Sequence, residues 1–162
     1  MADATYLGTD LSLGFAAGDS GSTVAGPFSR ADLQAGPNTS ATPRTLDLAV
    51  RSGMANLTQS LIVRFMTERG ELAPLGHPNY GSRHHALVGQ PNTDGNRNLL
   101  KLYMIECAKQ EPRIASVLRI SVQQGAGPAN RDKAEVVITL QVKGVADPLS
   151  LVIPFSFAGP LS

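Results

Sequence analysis

The sequence predicts an α+β domain: two helices packed on a small, mainly antiparallel sheet, preceded by an extended N-terminal arm. Two stretches, near residues 54–67 and 94–109, place apolar residues at the helical spacings of three and four. Three later stretches alternate apolar and polar residues over strand lengths. The first 45 residues do neither. They are rich in Gly, Ser, Thr and Pro, as in "AAGDSGSTVAGPFS" and "AGPNTSATPR", and such a segment buries too little apolar surface to offset its own ordering entropy.

Taken in order, residues 1–45 are expected to form the arm, lying on the domain or on a partner, with one short strand near residues 5–13 in "YLGTDLSLGF". Residues 46–162 are expected to form a single α+β domain. It opens with the strand "TLDLAV", where Leu46, Leu48 and Val50 alternate with Thr45, Asp47 and Ala49. In the first helix Met54, Leu57, Leu61, Ile62 and Phe65 share one side, Asn56, Gln59 and Thr67 take the other, and Gly70 is placed to end it. Residues 70–95 form a long connection broken by three prolines and several glycines. Loops of that length inside a compact domain are usually functional or packed on a partner.

The second helix is expected from a cap at Asp94/Asn96 to Lys109. Leu99, Leu100, Tyr103 and Cys107 form one stripe, and Leu102 with Ile105 a second that meets either the rest of the domain or another chain. Pro112 then excludes Glu111 from the helical region and stops the helix near Lys109 or Gln110. Three strands finish the chain: "ASVLRISVQ", with Leu118, Ile120 and Val122 on one face; "EVVITLQV", with Val136, Ile138, Leu140 and Val142; and "LSLVIPFSF", with Leu149, Leu151, Ile153, Phe155 and Phe157. Pro154 cannot donate to a ladder, which places the last strand at an edge.

Composition narrows the function. A formal net charge of +1 with no basic run makes no electrostatic case for nucleic acid or an anionic membrane as partner. No window approaches the roughly 20 apolar residues of a membrane span. A single cysteine, Cys107, excludes an internal disulfide, and no secretory signal is visible at "MADATYLGTD", so synthesis in a reducing cytosol is expected. His77, His84 and His85 read as solvated loop histidines, since no Cys or carboxylate stands at a usual ligand spacing, and no metal or cofactor is expected. Glu68, Glu71, Glu106 and Glu111 are the carboxylates available for glycoside hydrolysis, yet there is no Trp and there are only three Tyr to stack on sugars. Cys107 sits on an apolar stripe as a buried thiol rather than a nucleophile. No catalytic residue is assigned, and the chain is not expected to be an enzyme.

"NLTQSLIVRFMTERGEL", "HPNYGS" and "EPRI", in that order on helix, loop and helix–strand junction, resemble the gene-25-like baseplate wedge family of contractile phage tails and related injection machines. "YLGTDLSL" is similar to that family's N-terminal strand. The resemblance implies a structural protein, made in the bacterial cytoplasm and assembled, typically in six copies, into a baseplate. It implies that Glu111, Pro112 and Arg113 clasp a helical core bundle of the wedge heterodimer subunits, with Leu102 and Ile105 as a candidate partner stripe. It further implies that the sheet templates the first ring of sheath protein, with Leu151, Ile153 and Phe155 at the candidate contact edge. Central hub or spike proteins are more remote partners. Two rival readings stand beside it: a lysozyme-like peptidoglycan hydrolase, since some relatives carry that label, and a generic adaptor that binds by strand addition.

Overall fold

The computed structural model describes residues 4–15, 31–37 and 46–158. Its α+β architecture has two helices and small antiparallel sheets. A short 3-10 turn at Ala4–Leu7 leads into β1 (Thr9–Leu11) and β2 (Leu13–Phe15). β3 (Ala31–Leu33), β4 (Ala35–Pro37), β5 (Leu46–Leu48) and β6 (Val50–Ser52) follow. The helices are α1 (Gly53–Met66) and α2 (Asp94–Lys109), and the main sheet is β7 (Ile114–Gln124), β8 (Lys133–Val142) and β9 (Leu149–Ser156).

The main sheet has the order β7-β8-β9, all antiparallel, with β8 in the middle. Val136, Ile138, Leu140 and Val142 of β8 are essentially inaccessible, and Leu151, Ile153, Phe155 and Phe157 are buried beside them. β9 is an edge, as Pro154 requires. Among the described residues β9 pairs with β8 alone, and because the Phe157 N–H donates back to Asp132 O, strand alternation turns the backbone groups of Val152 and Pro154 away from β8.

β7 departs from the expected alternation. Val117 pairs with Leu140 but Arg119 with Thr139, so Leu118 is an extra residue in a bulge. Leu118 is consequently exposed, and Val117, Ile120 and Val122 pack on the core instead. The sheet rests on α2, whose buried residues are Leu100, Met104, Cys107 and Ala108. Leu99, expected on the inner stripe, is exposed, and Met104 replaces it there. Leu102 is exposed and Ile105 half-buried. The N-cap is Thr93, whose Oγ1 accepts from the Asn96 N–H.

Within the arm the expected single strand is two strands, part of a three-way exchange. β1 pairs with β6, β2 with β3, and β4 with β5, so each of three chain segments changes partner at its middle. The changes occur at Ser12, Gln34 and Ala49. Ser12 N–H donates to Ala49 O (2.7 Å), Ala49 N–H to Gln34 O (2.8 Å), and Gln34 N–H to Ser12 O (2.9 Å), a closed cycle. Their backbone polar groups therefore stay paired where the ladders break. Arg51 and Ser12 complete the crossing: Arg51 Nε donates to Ser12 Oγ, which donates to Gln34 Oε1.

The helix α1 anchors this crossing to the domain. Asn56 and Gln59, expected on a polar outer side, are both buried at 4% exposure. Asn56 Nδ2 donates to Leu7 O, and Gln59 Nε2 donates to Leu11 O while its Oε1 accepts from Leu13 N–H. Two primary amides thus supply the hydrogen bonds that let α1 bury a polar flank under the N-terminal segment. The other flank of α1 carries Leu57, Leu61 and Phe65 into the core.

Candidate functional site

The Glu111-Pro112-Arg113 tripeptide lies where α2 ends and β7 begins. Ile114 N–H donates to Glu111 O across it, closing a turn whose exposed corner is Pro112. Glu111 points inward, 4% exposed. Its Oε1 accepts from Arg113 Nε at 2.6 Å, and its Oε2 faces Arg64 Nη2 of α1 at 3.4 Å. Burial alone would raise this carboxyl, but Arg113, by hydrogen bond and charge, and Arg64 together hold it below the usual carboxylate range.

Arg113 also reaches the N-terminal segment, donating from Nη1 to Leu7 O at 3.0 Å. That carbonyl already accepts from Asn56. The tripeptide therefore grips within its own chain, tying the end of α2, the side of α1 and the turn before β1 together. Pro112 is the member on the surface. Neither motif spelling nor spacing signals this inward use.

A second cluster lies beside the first. Glu106 of α2 pairs with Arg69 at 2.5 Å and with Arg83 at 3.7 Å. Arg69 Nη2 donates to Asn79, and the Arg64 guanidinium lies over the Tyr80 ring, 4.4 Å from its centroid. An open cleft of about 620 Å³ lies beside them, lined by Arg64, Arg69, His77, Asn79, Tyr80 and Gln110 among others. The connection that forms its wall is held by Arg69 N–H to Ser82 O and Ser82 N–H to Thr67 O. Gly81 makes that approach possible: its φ is +98°, and a Cβ there would lie 2.6 Å from Thr67 O.

The histidines separate. His77 is exposed, as expected, but His84 is buried, which overturns its reading as solvated. Its Nδ1 lies 2.7 Å from Ser82 Oγ and its ring meets Phe155 edge-on. Burial, with a smaller contribution from His85, lowers its pKa to about 3. His85 Nε2 lies 3.0 Å from Phe65 O. Cys107 is buried as expected, its thiol pushed up to about 11 by desolvation. Among the described residues, no three His, Cys, Asp or Glu side chains gather as a metal site would require, and no helix is long and apolar enough to cross a membrane.

No family model and no curated protein matches the chain. Its fold is nevertheless shared with a known structure. That structure is a crystal structure from Geobacter sulfurreducens, described provisionally as a tail lysozyme; it aligns with a TM-score of 0.53 at 22% identity, over 63% of this chain and 88% of that one. This chain is a small α+β domain with the fold of that protein.

Proposed function

We propose that the protein is a non-enzymatic structural component of the baseplate of a contractile tail or injection machine, joining the wedge to the first sheath ring. The observation that carries the reading is the fold shared with a protein described provisionally as a tail lysozyme, which associates this fold with a tail. Three surface features support it. The exposed Leu102 leaves an apolar side chain on α2 for a helical partner, with Ile105 beside it. Pro112 projects from a junction stiffened by the Glu111 ion pairs, a rigid place for a wedge core bundle to rest. The outward edge of β9 offers a site for strand addition by a sheath subunit.

The mechanism is mechanical: the wedge rearranges, this domain moves with the bundle it holds, and the first sheath ring follows, with six copies acting around the baseplate. Leu151, Ile153 and Phe155, earlier the candidate sheath-contact residues, are buried against the core, so strand addition would use the outward groups of Val152 and its neighbours. The Geobacter protein's description favours a rival, peptidoglycan hydrolysis. A general acid needs a raised pKa, whereas Glu111, the buried carboxyl of the junction, is held low.

Affinity capture of the tagged chain from a host producing assembled particles tests the reading. Wedge and sheath proteins are expected in the eluate, and are expected to be lost for Leu102→Asp or for Val152→Lys respectively. Their absence from the wild-type eluate, with peptidoglycan cleavage by the purified protein, would replace this reading with the hydrolase.

A further inference from the structure

The three-way exchange near the N-terminus repeats one short pattern. Residues 9–15, 31–37 and 46–52 each carry Asp-Leu just before the residue where partners change, as Asp10-Leu11-Ser12, Asp32-Leu33-Gln34 and Asp47-Leu48-Ala49. The Asp10 and Asp47 carboxylates each accept from the amide of the leucine that follows. Two residues beyond the change, each segment closes on the next. A Cβ at Gly14 would lie 2.9 Å from the Gln34 side chain, a Cβ at Gly36 would lie 3.1 Å from Ala49 Cβ, and Arg51 Nε donates to Ser12 Oγ.

The three segments differ in how they are tied to the domain. Residues 9–15 are bolted to α1 by Gln59, and the turn before them by Asn56 and Arg113. Residues 46–52 run directly into α1. The middle segment is joined to the chain by residues 16–30 and 38–45, which can span up to roughly 50 Å and 25 Å. Its Gln34 is exposed where Ser12 is buried and Ala49 half-buried at the equivalent points.

We propose that residues 31–37 form an exchangeable strand, so that the slot between β2 and β5 takes this segment from a second copy of the chain. The second copy brings the same sequence, so the ladders and the Ser12–Gln34 contact are made again across the pair. β2 and β4 are three residues long with a central glycine, and Gly-rich strands are prone to such swapping. An unrelated strand would have to supply both the Gln34 bond and a glycine against Ala49, which the cognate segment already carries. What opposes exchange is the effective concentration of the tethered segment, on the order of millimolar for a short flexible linker. Dilute copies therefore close on themselves, and copies held side by side trade segments. Such exchange needs a second copy alone and is independent of the baseplate reading.

The test uses disulfides across β2 and β3. Gln34 N–H donates to Ser12 O, so the adjoining pair, Leu13 and Leu33, is of the non-hydrogen-bonded kind, with side chains close enough for a disulfide. Two full chains, Leu13→Cys and Leu33→Cys, each with Cys107→Ala and distinguishable by mass, are refolded together from urea and then oxidised. At about 1 mM the mixed disulfide is expected to exceed either homodimer about tenfold or more, and its yield to fall about tenfold or more at about 0.01 mM. A single chain with both cysteines on the same background, refolded at the lower concentration, should close its disulfide internally. Failure of that closure would remove the β2–β3 pairing on which the exchange rests, and so overturn the proposal. A mixed disulfide at no more than about twice either homodimer, the ratio of random collisions, would overturn it as well.

Discussion

Lowering the pH from 7 to 5 should destabilise this protein through His84. The ring is buried, bonded to Ser82 Oγ, edge-on to Phe155 and 4.2 Å from the His85 ring, and its pKa is lowered to about 3. In the unfolded chain a histidine titrates near 6.5. Between the two values the unfolded state binds a proton that the folded state refuses, so stability is full above pH 6.5 and falls as pH drops towards 3. At 1.36 kcal/mol per pH unit, the loss between pH 7 and pH 5 comes to about 2 kcal/mol. For a chain of this size that is roughly 4–8 °C in Tm.

The assay is urea unfolding at both pH values for the wild type and for His84→Gln, which cannot titrate. The substitution also alters starting stability, so the quantity compared is each protein's own change between the two pH values. The wild type should lose about 2 kcal/mol more than the variant. Equal losses in the two proteins would refute the reasoning, because then the pH response would belong to other groups.

Two further substitutions test the site. Gly81→Ala should cost at least about 2 kcal/mol in chemical denaturation, since it joins a positive φ to a Cβ 2.6 Å from Thr67 O; an unchanged midpoint would mean that the connection over residues 67–82 yields freely. Arg113→Ala should cost about 2–4 kcal/mol, because Glu111 stays buried with only the longer Arg64 contact and Leu7 O loses a donor. The lowered Glu111 pKa gives stability above the usual carboxylate range that is lost as pH falls through the depressed value. Arg113→Ala should therefore lose less stability than the wild type as pH falls through that window, the gap between the two proteins narrowing, as urea unfolding at pH 7 and pH 4 would show.

Much of this architecture was legible in residue periodicity. The limits of α1 and α2, the inner face of β8 and the edge position of β9 follow from spacings of 3.6 and 2 and from one proline. What periodicity missed has identifiable causes. Leu118 is exposed because a bulge inserts one residue and reverses the alternation after it, and bulges have no composition of their own. Asn56 and Gln59 are buried because they bond to backbone that arrives from residues 7–13, about 50 positions away in sequence. His84 is inside because Phe155, far along the chain on β9, meets its ring edge-on and covers it, while the adjacent Ser82 bonds its Nδ1. In each case the deciding partner is distant along the chain, so a local window does not contain it.

Distant partners within the chain also limit what the Glu111–Arg113 junction can offer from outside. Both Glu111 oxygens are engaged inside the chain, and Arg113 has committed Nε to Glu111 and Nη1 to Leu7 O. A partner meeting this corner would encounter Pro112 and the outer side of Arg113, with the acid serving to hold the base in place. Loss of capture in Arg113→Ala would then be ambiguous, since the N-terminal segment loosens with it. Arg113→Lys with Leu102→Asp as a separate variant resolves this. If the junction acts by its shape, Lys should recover part of the stability through Glu111 and retain capture, while Leu102→Asp should abolish capture with a stability change within about 0.5 kcal/mol. If the guanidinium itself makes the contact, Lys should restore stability without capture, because a point charge does not reproduce a bidentate fork.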